Sequence, residues 1–125
     1  MNITQAISAA DALVPNIGDT MPQKLAWLSE LDGRIYLELI EPNGNAQDTP
    51  RYDGQTPLDR ELLVPFPFDS LYIDYLEMKL ALYNGEQKRY ANARISFNEK
   101  YEAFKRWYIR THPRKTPRTT FPTRR

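Results

Sequence analysis

The sequence contains no cysteine and a single histidine, His112. Without cysteine the chain can form no disulfide, no thiolate metal site and no cysteine nucleophile. One histidine also excludes a metal site built from several imidazoles. No apolar run reaches the roughly 18 residues that a membrane span requires, and the opening segment, MNITQAISAADALVP, lacks the basic region and cleavage site of a signal peptide. We therefore expect a soluble, intracellular protein.

Acidic residues are absent from the C-terminal segment, residues 114–125, although the whole chain has a net charge of only +1. Removing the five basic residues of this segment leaves 12 basic and 16 acidic residues, a net charge of −4, for residues 1–113. The sequence therefore predicts a helical domain at residues 1–112 and a basic arm at residues 113–125. Such arms typically meet an acidic protein surface or a nucleic acid. The predicted partner-binding residues are the five basic ones and one apolar anchor: Arg114, Lys115, Arg118, Phe121, Arg124 and Arg125.

Two amphipathic helices are predicted in the first 42 residues. The first runs from Thr4, its predicted N-cap, to Leu13, and Pro15 ends it. The second begins with a capping-box pattern from Thr20 to Gln23. It ends at the Pro42-Asn43-Gly44 sequence, and Gly33 in its middle indicates close packing against a neighbour. Its apolar stripe has helical spacing: Leu25, Leu28, Leu31 or Asp32, Ile35 and Leu39.

A loop is predicted at residues 43–61, where glycine, proline and polar residues predominate. Connections in small domains usually have about 4–6 residues. This one is therefore expected either to be disordered or to contact something. Asp69 is the predicted N-cap of the helical stretch that follows, and Phe68 is expected to pack against Ile73.

The stretch from Phe68 to Arg110 is rich in aromatic residues that recur at seven-residue steps. As one helix it would span roughly 60 Å, which is too long for a compact domain of this size. A break is expected either at Asn84-Gly85 or at Ala91-Asn92. One row with this spacing contains Leu76, Tyr83, Tyr90, Phe97 and Phe104; a second contains Ile73, Leu80, Tyr101 and Tyr108.

Most rings in such rows belong to a core or to a subunit interface rather than to a ligand platform. We assign Leu76, Phe97 and Phe104 to the core. The remaining rings exceed what a small monomer can bury, which indicates self-association. The predicted self-association residues are Tyr72, Tyr75, Tyr83, Tyr90 and Trp107.

Other polar residues offer little basis for catalysis. The carboxylates of Asp69, Asp74, Glu77, Glu99 and Glu102 have no recognised ligand spacing with a histidine. His112 is expected to be an exposed imidazole at a helix end. We expect no enzymatic activity, no cofactor and no metal. The basic residues from Lys88 to Arg110 alternate with acidic ones, so a solvated face and a phosphate-binding track are equally compatible with them.

Four segments resemble the short head–tail connector (adaptor) proteins of tailed bacteriophages. They are ISAADALVPN, KLAWLSELDGRIYLELIE, ELLVPFPFDSLYIDYLEMKLALYNGE and FNEKYEAFKRWYIRTH, which together cover about residues 5–41 and 61–112. The similarity extends over whole segments and includes no short diagnostic motif. It leaves the loop and the basic arm uncovered.

The resemblance implies a small helical bundle. Together with the loop and the arm that the composition predicts, the expected fold is all-α: a small helical bundle with a long inter-helix loop and an extended C-terminal arm. It also implies a virion protein that forms a ring, typically dodecameric, under the portal. The portal protein would bind one side of this ring and a stopper or tail-completion protein the other. Double-stranded DNA would pass through the lumen without sequence-specific binding.

An alternative function is a nucleic-acid-binding helical module that uses the basic tail and the basic helix face. It predicts binding to DNA by the free monomer that weakens steeply as salt rises.

Overall fold

The computed structural model describes residues 1–14, 21–43 and 49–112. Within these ranges the only β pairing is an isolated antiparallel bridge between Asn2 and Glu61. The prediction of an all-α helical bundle is confirmed. In the described part of the chain the four α-helices are α1 (Ile3–Leu13), α2 (Met21–Ile35), α3 (Leu71–Tyr83) and α4 (Gln87–Thr111).

Helix α1 is capped by Asn2, so the prediction that Thr4 is its N-cap is wrong. The Asn2 side chain accepts a hydrogen bond from the Gln5 amide at 2.8 Å, and the Gln5 side chain accepts one from the Asn2 amide at 2.9 Å. This reciprocal pair is a capping box, which satisfies two amides that the first turn leaves free. The Thr4 hydroxyl instead donates to the carbonyl of Leu58 at 3.0 Å.

Helix α2 buries the predicted apolar stripe, including Leu28, Leu31 and Ile35. It continues as a π-helical turn (Tyr36–Ile40) and a short 3-10 turn (Glu41–Asn43), so the helical path ends where the Pro-Asn-Gly sequence was expected to end it. The predicted capping residue Thr20 lies outside the described residues. A Cβ atom on Gly33 would meet its nearest neighbour, Thr49 Cγ2, at 3.6 Å. This is an ordinary contact, so packing does not require glycine there.

The aromatic stretch breaks at Asn84-Gly85, the first of the two predicted positions. Gly85 has a φ of +76°, in the left-handed region that glycine adopts without steric cost. The amides of Gly85 and Glu86 donate to the carbonyls of Leu82 and Ala81, at 3.2 and 2.8 Å. These two bonds form a Schellman motif, which ends α3 and turns the chain into α4.

The start of α3 differs from the prediction. Ser70 precedes the helix and makes no side-chain capping bond. The Asp69 carboxylate instead lies 3.2 Å from the Met1 amine, so Asp69 is not the N-cap. Phe68 packs against the rings of Phe104 and Trp107, with centroid separations of 5.8 and 5.3 Å. The N-terminus of the chain and the end of α4 thus both help to position this turn.

Helix α3 is central to the bundle. It packs against α4 along the hairpin, against α1, and less extensively against α2. The π-helical turn after α2 contacts α4, where the Tyr101 hydroxyl donates to Glu38 at 2.6 Å. The three residues assigned to the core from the sequence, Leu76, Phe97 and Phe104, are buried here. No helix in the described ranges combines the length and the apolar character needed to cross a membrane.

Candidate interaction surfaces

The most buried polar cluster is centred on Asp32, a residue of α2 with 0% exposure. Its carboxylate accepts hydrogen bonds from the Tyr52 hydroxyl at 2.5 Å, from the Tyr72 hydroxyl at 2.6 Å and from the Leu63 amide at 3.1 Å. The Tyr72 hydroxyl in turn accepts a bond from the Val64 amide at 2.8 Å. This cluster joins α2, α3 and the long loop through side chains that solvent does not reach.

Burial determines the protonation behaviour of the Asp32 cluster. It raises the pKa of Asp32, and the hydrogen bonds from Tyr52, Tyr72 and Leu63 oppose that rise. Burial, together with the neighbouring Asp32 carboxylate, also raises the pKa of Tyr52 and of Tyr72. Both phenols therefore stay protonated and continue to donate. The arrangement is suited to holding the loop in place, because the carboxylate is inaccessible to a solute.

The described part of the long loop contacts its own chain. The Ser29 hydroxyl donates to the Tyr52 carbonyl at 2.9 Å and accepts from the Tyr52 amide at 2.6 Å. Farther along, the amides of Ile3 and Thr4 donate to the carbonyls of Arg60 and Leu58, each at 3.1 Å. The loop was expected either to be disordered or to contact something, and residues 49–61 do make contacts, with α1 and α2 of their own chain. Residues 44–48 lie outside the described ranges.

The structure separates the five predicted self-association residues into two groups. Tyr72 and Tyr75 have exposures of 0% and 5%, so their assignment to a surface is wrong. Both are core residues. The Tyr72 hydroxyl donates a hydrogen bond to Asp32 at 2.6 Å, and the Tyr75 hydroxyl donates one to Glu30 at 3.1 Å. Tyr83 is 61% exposed, whereas Tyr90 and Trp107 are partly buried against the core. Tyr83 is the member best placed for a partner.

Several exposed apolar side chains were missed in the sequence. Leu82 adjoins Tyr83 at the end of α3 and is 56% exposed. Ile95 and Ile109 are 60% and 57% exposed, on the side of α4 opposite its buried row. Helical spacing could have revealed them, since Ile95 is about half a turn from Phe97. Phe66, flanked by two prolines, is 85% exposed.

The basic residues of α4 fall into two sets. Three of them are paired: Lys100 with Asp74 at 2.9 Å, Lys105 with Glu102, and Arg89 with both Glu77 and Glu86. Arg89 also donates to the carbonyl of Leu13 at 2.9 Å and so connects α4 to the end of α1. Within the described ranges, four others make no ion pair: Lys88, Arg94, Arg106 and Arg110. In the described part of the chain, helix α4 thus has basic residues in ion pairs and basic residues without one.

The remaining polar candidates lie in local contacts. Asp74, at 9% exposure, accepts a bond from Ser96 at 2.7 Å besides its pair with Lys100. The His112 ring is partly buried and stacks on Tyr108 with a centroid separation of 4.0 Å, so the prediction of an exposed imidazole is wrong. No group of three or more acidic or histidine residues in the described part of the chain could hold a metal ion.

An open groove of about 700 Å³ lies between α2 and residues 49–51. Its apolar lining includes Ala26, Leu37 and Pro50. Charges of both signs surround it, and Arg34 and Glu38 approach each other to 3.7 Å. Because these charges neutralise each other, the groove favours neither an anionic nor a cationic ligand.

The predicted partner-binding residues of the arm lie outside the described residues. They are Arg114, Lys115, Arg118, Phe121, Arg124 and Arg125. Comparison with protein-family models, with curated proteins and with solved structures found no match for this chain.

Proposed function

We propose that this chain is a structural adaptor of a phage head–tail connector, and that it acts without catalysis. Copies of it would form a ring under the portal and link the portal to a stopper or tail-completion protein. Double-stranded DNA would pass through the lumen of that ring. The resemblance of the four sequence segments suggested this function, and the distribution of exposed side chains is the structural observation that supports it.

The supporting observation is the apolar surface outside the α3–α4 hairpin. Leu82 and Tyr83 stand together at its tip, and Ile95 and Ile109 lie along its outer side, all more than half exposed. The bundle already has its own core, so these side chains are not needed for its closure. Large apolar groups exposed on a packed hairpin are suited to a protein partner, which removes them from water.

The basic arm supplies the second part of the proposal. Its five positive charges would orient docking on an acidic portal surface, because complementary charge acts mainly on the rate and orientation of encounter. Burial of the Phe121 ring would contribute most of the affinity, as aromatic anchors do at other interfaces. The arm and the helical domain would therefore have separable roles.

Removal of residues 113–125 tests the role of the arm. We expect the truncated chain to keep the circular dichroism and unfolding midpoint of the full chain, and to bind isolated portal much more weakly. Two full-length variants separate the contributions: Phe121→Ala should raise the dissociation rate, and replacement of the five basic residues by glutamine should lower the association rate. Normal portal binding by the truncated chain would contradict this assignment.

Imaging of particles that contain the chain tests the adaptor function itself. The expected result is a ring of copies at the portal vertex, between the portal and the tail. Particles whose vertex contains no copies of the chain would refute the function, whatever the arm binds.

A nucleic-acid-binding module is the second candidate, and the free cations of α4 are the observation that favours it. It predicts that the isolated monomer binds duplex DNA with an affinity that falls steeply with salt, since each phosphate contact releases a counterion. An adaptor whose lumen only lets DNA pass would show little binding in the same titration.

A further inference from the structure

An aromatic corner lies where the turn before α3 meets the last turns of α4. It is defined by Pro65, Phe66, Pro67, Phe68 and Trp107. Phe66 is 85% exposed, the highest value among the large apolar side chains of the described residues, and both flanking prolines are exposed too. The rings of Phe68 and Trp107 pack 5.3 Å apart, and each is only partly buried. The five residues therefore form one continuous apolar surface rather than scattered side chains.

Contacts on both sides of Phe66 fix its place in the corner. Before it, Val64 is fully buried and its amide donates to the Tyr72 hydroxyl at 2.8 Å. After it, the Phe68 amide donates to the Pro65 carbonyl at 2.9 Å, and the Phe68 ring packs on α4. A surface that is already ordered loses little conformational entropy when a group binds to it. The corner is thus suited to receive an apolar side chain.

The described part of the chain ends beside this corner. The His112 ring lies 5.8 Å from the Trp107 ring and meets it edge-on, so residues 113–125 are attached next to the corner. Phe121, the one aromatic ring of this segment, follows His112 by nine positions. Nine residues can span at most roughly 30 Å. Phe66 adjoins Trp107 across the corner and is therefore within reach of Phe121 in the same chain.

Charge does not select the group that binds the corner. Glu61 and Asp69 are negative, but both lie beside the Met1 amine, at 3.3 and 3.2 Å. Arg106 and Arg110 are exposed on the nearby end of α4. The surroundings of the corner thus have charges of both signs and no excess of acid, so they offer a basic segment no net attraction. An apolar ring gains most there, because its burial removes it from water.

We propose that Phe121 of the arm packs on the aromatic corner of its own chain. The attachment of the arm next to the corner gives Phe121 an effective concentration on the order of 1 mM. A separate partner or a second copy would have to compete from solution at a much lower concentration. Aromatic rings that pack against each other are also favoured beyond the burial of their area.

The docked arm withholds Phe121 from the portal. This consequence rests on the proposed function, in which the same ring anchors the chain on the portal protein. A ring that is packed on the corner cannot be buried in a second site, so the apparent affinity for portal falls with the fraction of chains whose arm is released. The corner therefore makes an autoinhibitory contact in the free chain.

A spin label tests the docking in the isolated full chain. The chain has no native thiol, so Thr123→Cys gives a single attachment point for a nitroxide, two residues after Phe121. The label should broaden the NMR signals of the Phe66 amide and the Trp107 indole. The same label in a Phe121→Ala chain is the matched control and should broaden neither signal. Equal broadening in the two chains, or none in either, would overturn the inference.

A mixture of chains distinguishes the chain's own arm from the arm of a second copy. Spin-labelled chain without isotope enrichment is mixed with enriched chain that has no label, so broadening arises only between molecules. We expect no broadening in this mixture. Broadening as strong as that within one labelled chain would assign the corner to a second copy and overturn the inference.

Replacing the five basic residues of the arm by glutamine tests whether charge contributes. This variant keeps Phe121, so the broadening should persist. The broadening in the otherwise unchanged chain should also be the same at ~50 mM and ~500 mM salt, because an apolar contact is not screened. Loss of the signal in either experiment would show that charge holds the arm, against the inference.

Phe66→Ala tests the autoinhibitory role. If half of the arms are docked, their release should raise the apparent affinity for isolated portal about twofold. Leu58→Ala, at an exposed position of the loop, is the control and should bind like wild type. Thermal unfolding verifies that both variants fold, which is expected because the replaced side chains are exposed. Unchanged or weaker portal binding by Phe66→Ala would overturn the inhibitory role.

These experiments separate the docking from the adaptor function. The broadening is measured without portal, so particles that lack the chain would refute the adaptor function and leave the docking intact. Particles that contain a ring of copies, together with no Phe121-dependent broadening in the isolated chain, would retain the adaptor function and refute the docking.

Discussion

Asp32 connects three parts of the chain through one carboxylate. Replacing it with alanine would leave the hydroxyls of Tyr52 and Tyr72 and the amide of Leu63 without their acceptor in a buried site. We expect Asp32→Ala to lower the free energy of unfolding by roughly 3–5 kcal/mol. Glu41→Ala, at an exposed position, is the control and should change it by less than about 0.5 kcal/mol. Urea denaturation measures both, and equal losses would contradict the role of the cluster.

The same carboxylate predicts an unusual pH dependence. Burial raises the pKa of Asp32 in the folded chain above its value in the unfolded chain. The folded state therefore binds this proton more tightly. The resulting stabilisation is complete below the ordinary carboxyl pKa of about 3.9 and is lost as pH rises through the raised pKa.

Comparison of wild type with Asp32→Asn isolates that contribution, because asparagine does not titrate. The free energy of unfolding of wild type, minus that of the variant, should increase as pH falls from neutral toward about 4. Denaturation curves at a series of pH values measure this difference. A difference that is constant, or that decreases toward acid pH, would show that the pKa of Asp32 is not raised.

At the scale of elements, the Schellman turn between α3 and α4 depends on the glycine at position 85. An alanine at Gly85 would be held at a φ of +76°, which costs about 1 kcal/mol relative to glycine. Gly85→Ala should therefore lower the urea midpoint, whereas Gly54→Ala, at a glycine without positive φ and with open space around it, should leave it nearly unchanged. A midpoint equally insensitive to both would contradict the importance of this turn.

The helix ends show which structural predictions can be made from the local sequence. The Asn84-Gly85 break depends on backbone chemistry within a few residues, so the sequence could locate it. The error at Thr4 was of the same local kind, since Gln5, three residues after Asn2, was an available capping-box signal. Asp69 was different: the Met1 amine that occupies its carboxylate is 68 residues away in sequence, and only tertiary structure brings the two together.

The assignment of Tyr72 and Tyr75 to self-association was wrong for the same reason, because their hydrogen-bond partners are distant in sequence. A row of rings at helical spacing shows that a helix has an apolar side, but it does not show how much of that side the rest of the chain covers. Asp32, which binds Tyr72, is 40 residues away, and Glu30, which binds Tyr75, is 45 residues away. The core assignment of Leu76, Phe97 and Phe104 was correct, whereas Tyr83, which the same seven-residue spacing places in their row, is 61% exposed.

At the scale of the whole molecule, the bundle has two regions with different kinds of contact. The α3–α4 hairpin is held by extensive packing between sequence neighbours, whereas α1 and the loop are held by bonds between residues far apart. We expect the amides of Ile3, Thr4 and Leu62 to exchange with deuterium as one group, and faster than amides in the middle of α4.

Tyr52→Ala should accelerate exchange at Ile3, Thr4 and Leu62 more than in α4, because Tyr52 fastens the loop to Asp32 and Ser29. Ile109→Ala, at an exposed site on α4, is the control and should accelerate neither. Mass spectrometry of proteolytic fragments measures the exchange. Equal acceleration in both regions would show that the bundle opens as a single unit.

The pairing of the first residues with residues 58–62 also sets the order in which the chain can fold. The bond from Thr4 to Leu58 closes a sequence separation of 54 residues, while the bonds that form the α3–α4 turn span only a few residues. Because closing a long loop costs more entropy than closing a short one, the hairpin can nucleate before the N-terminal half docks. During synthesis, α1 must wait until Leu62 has left the ribosome, so α1 is made before the residues that it pairs with and is among the last elements to reach its native partners.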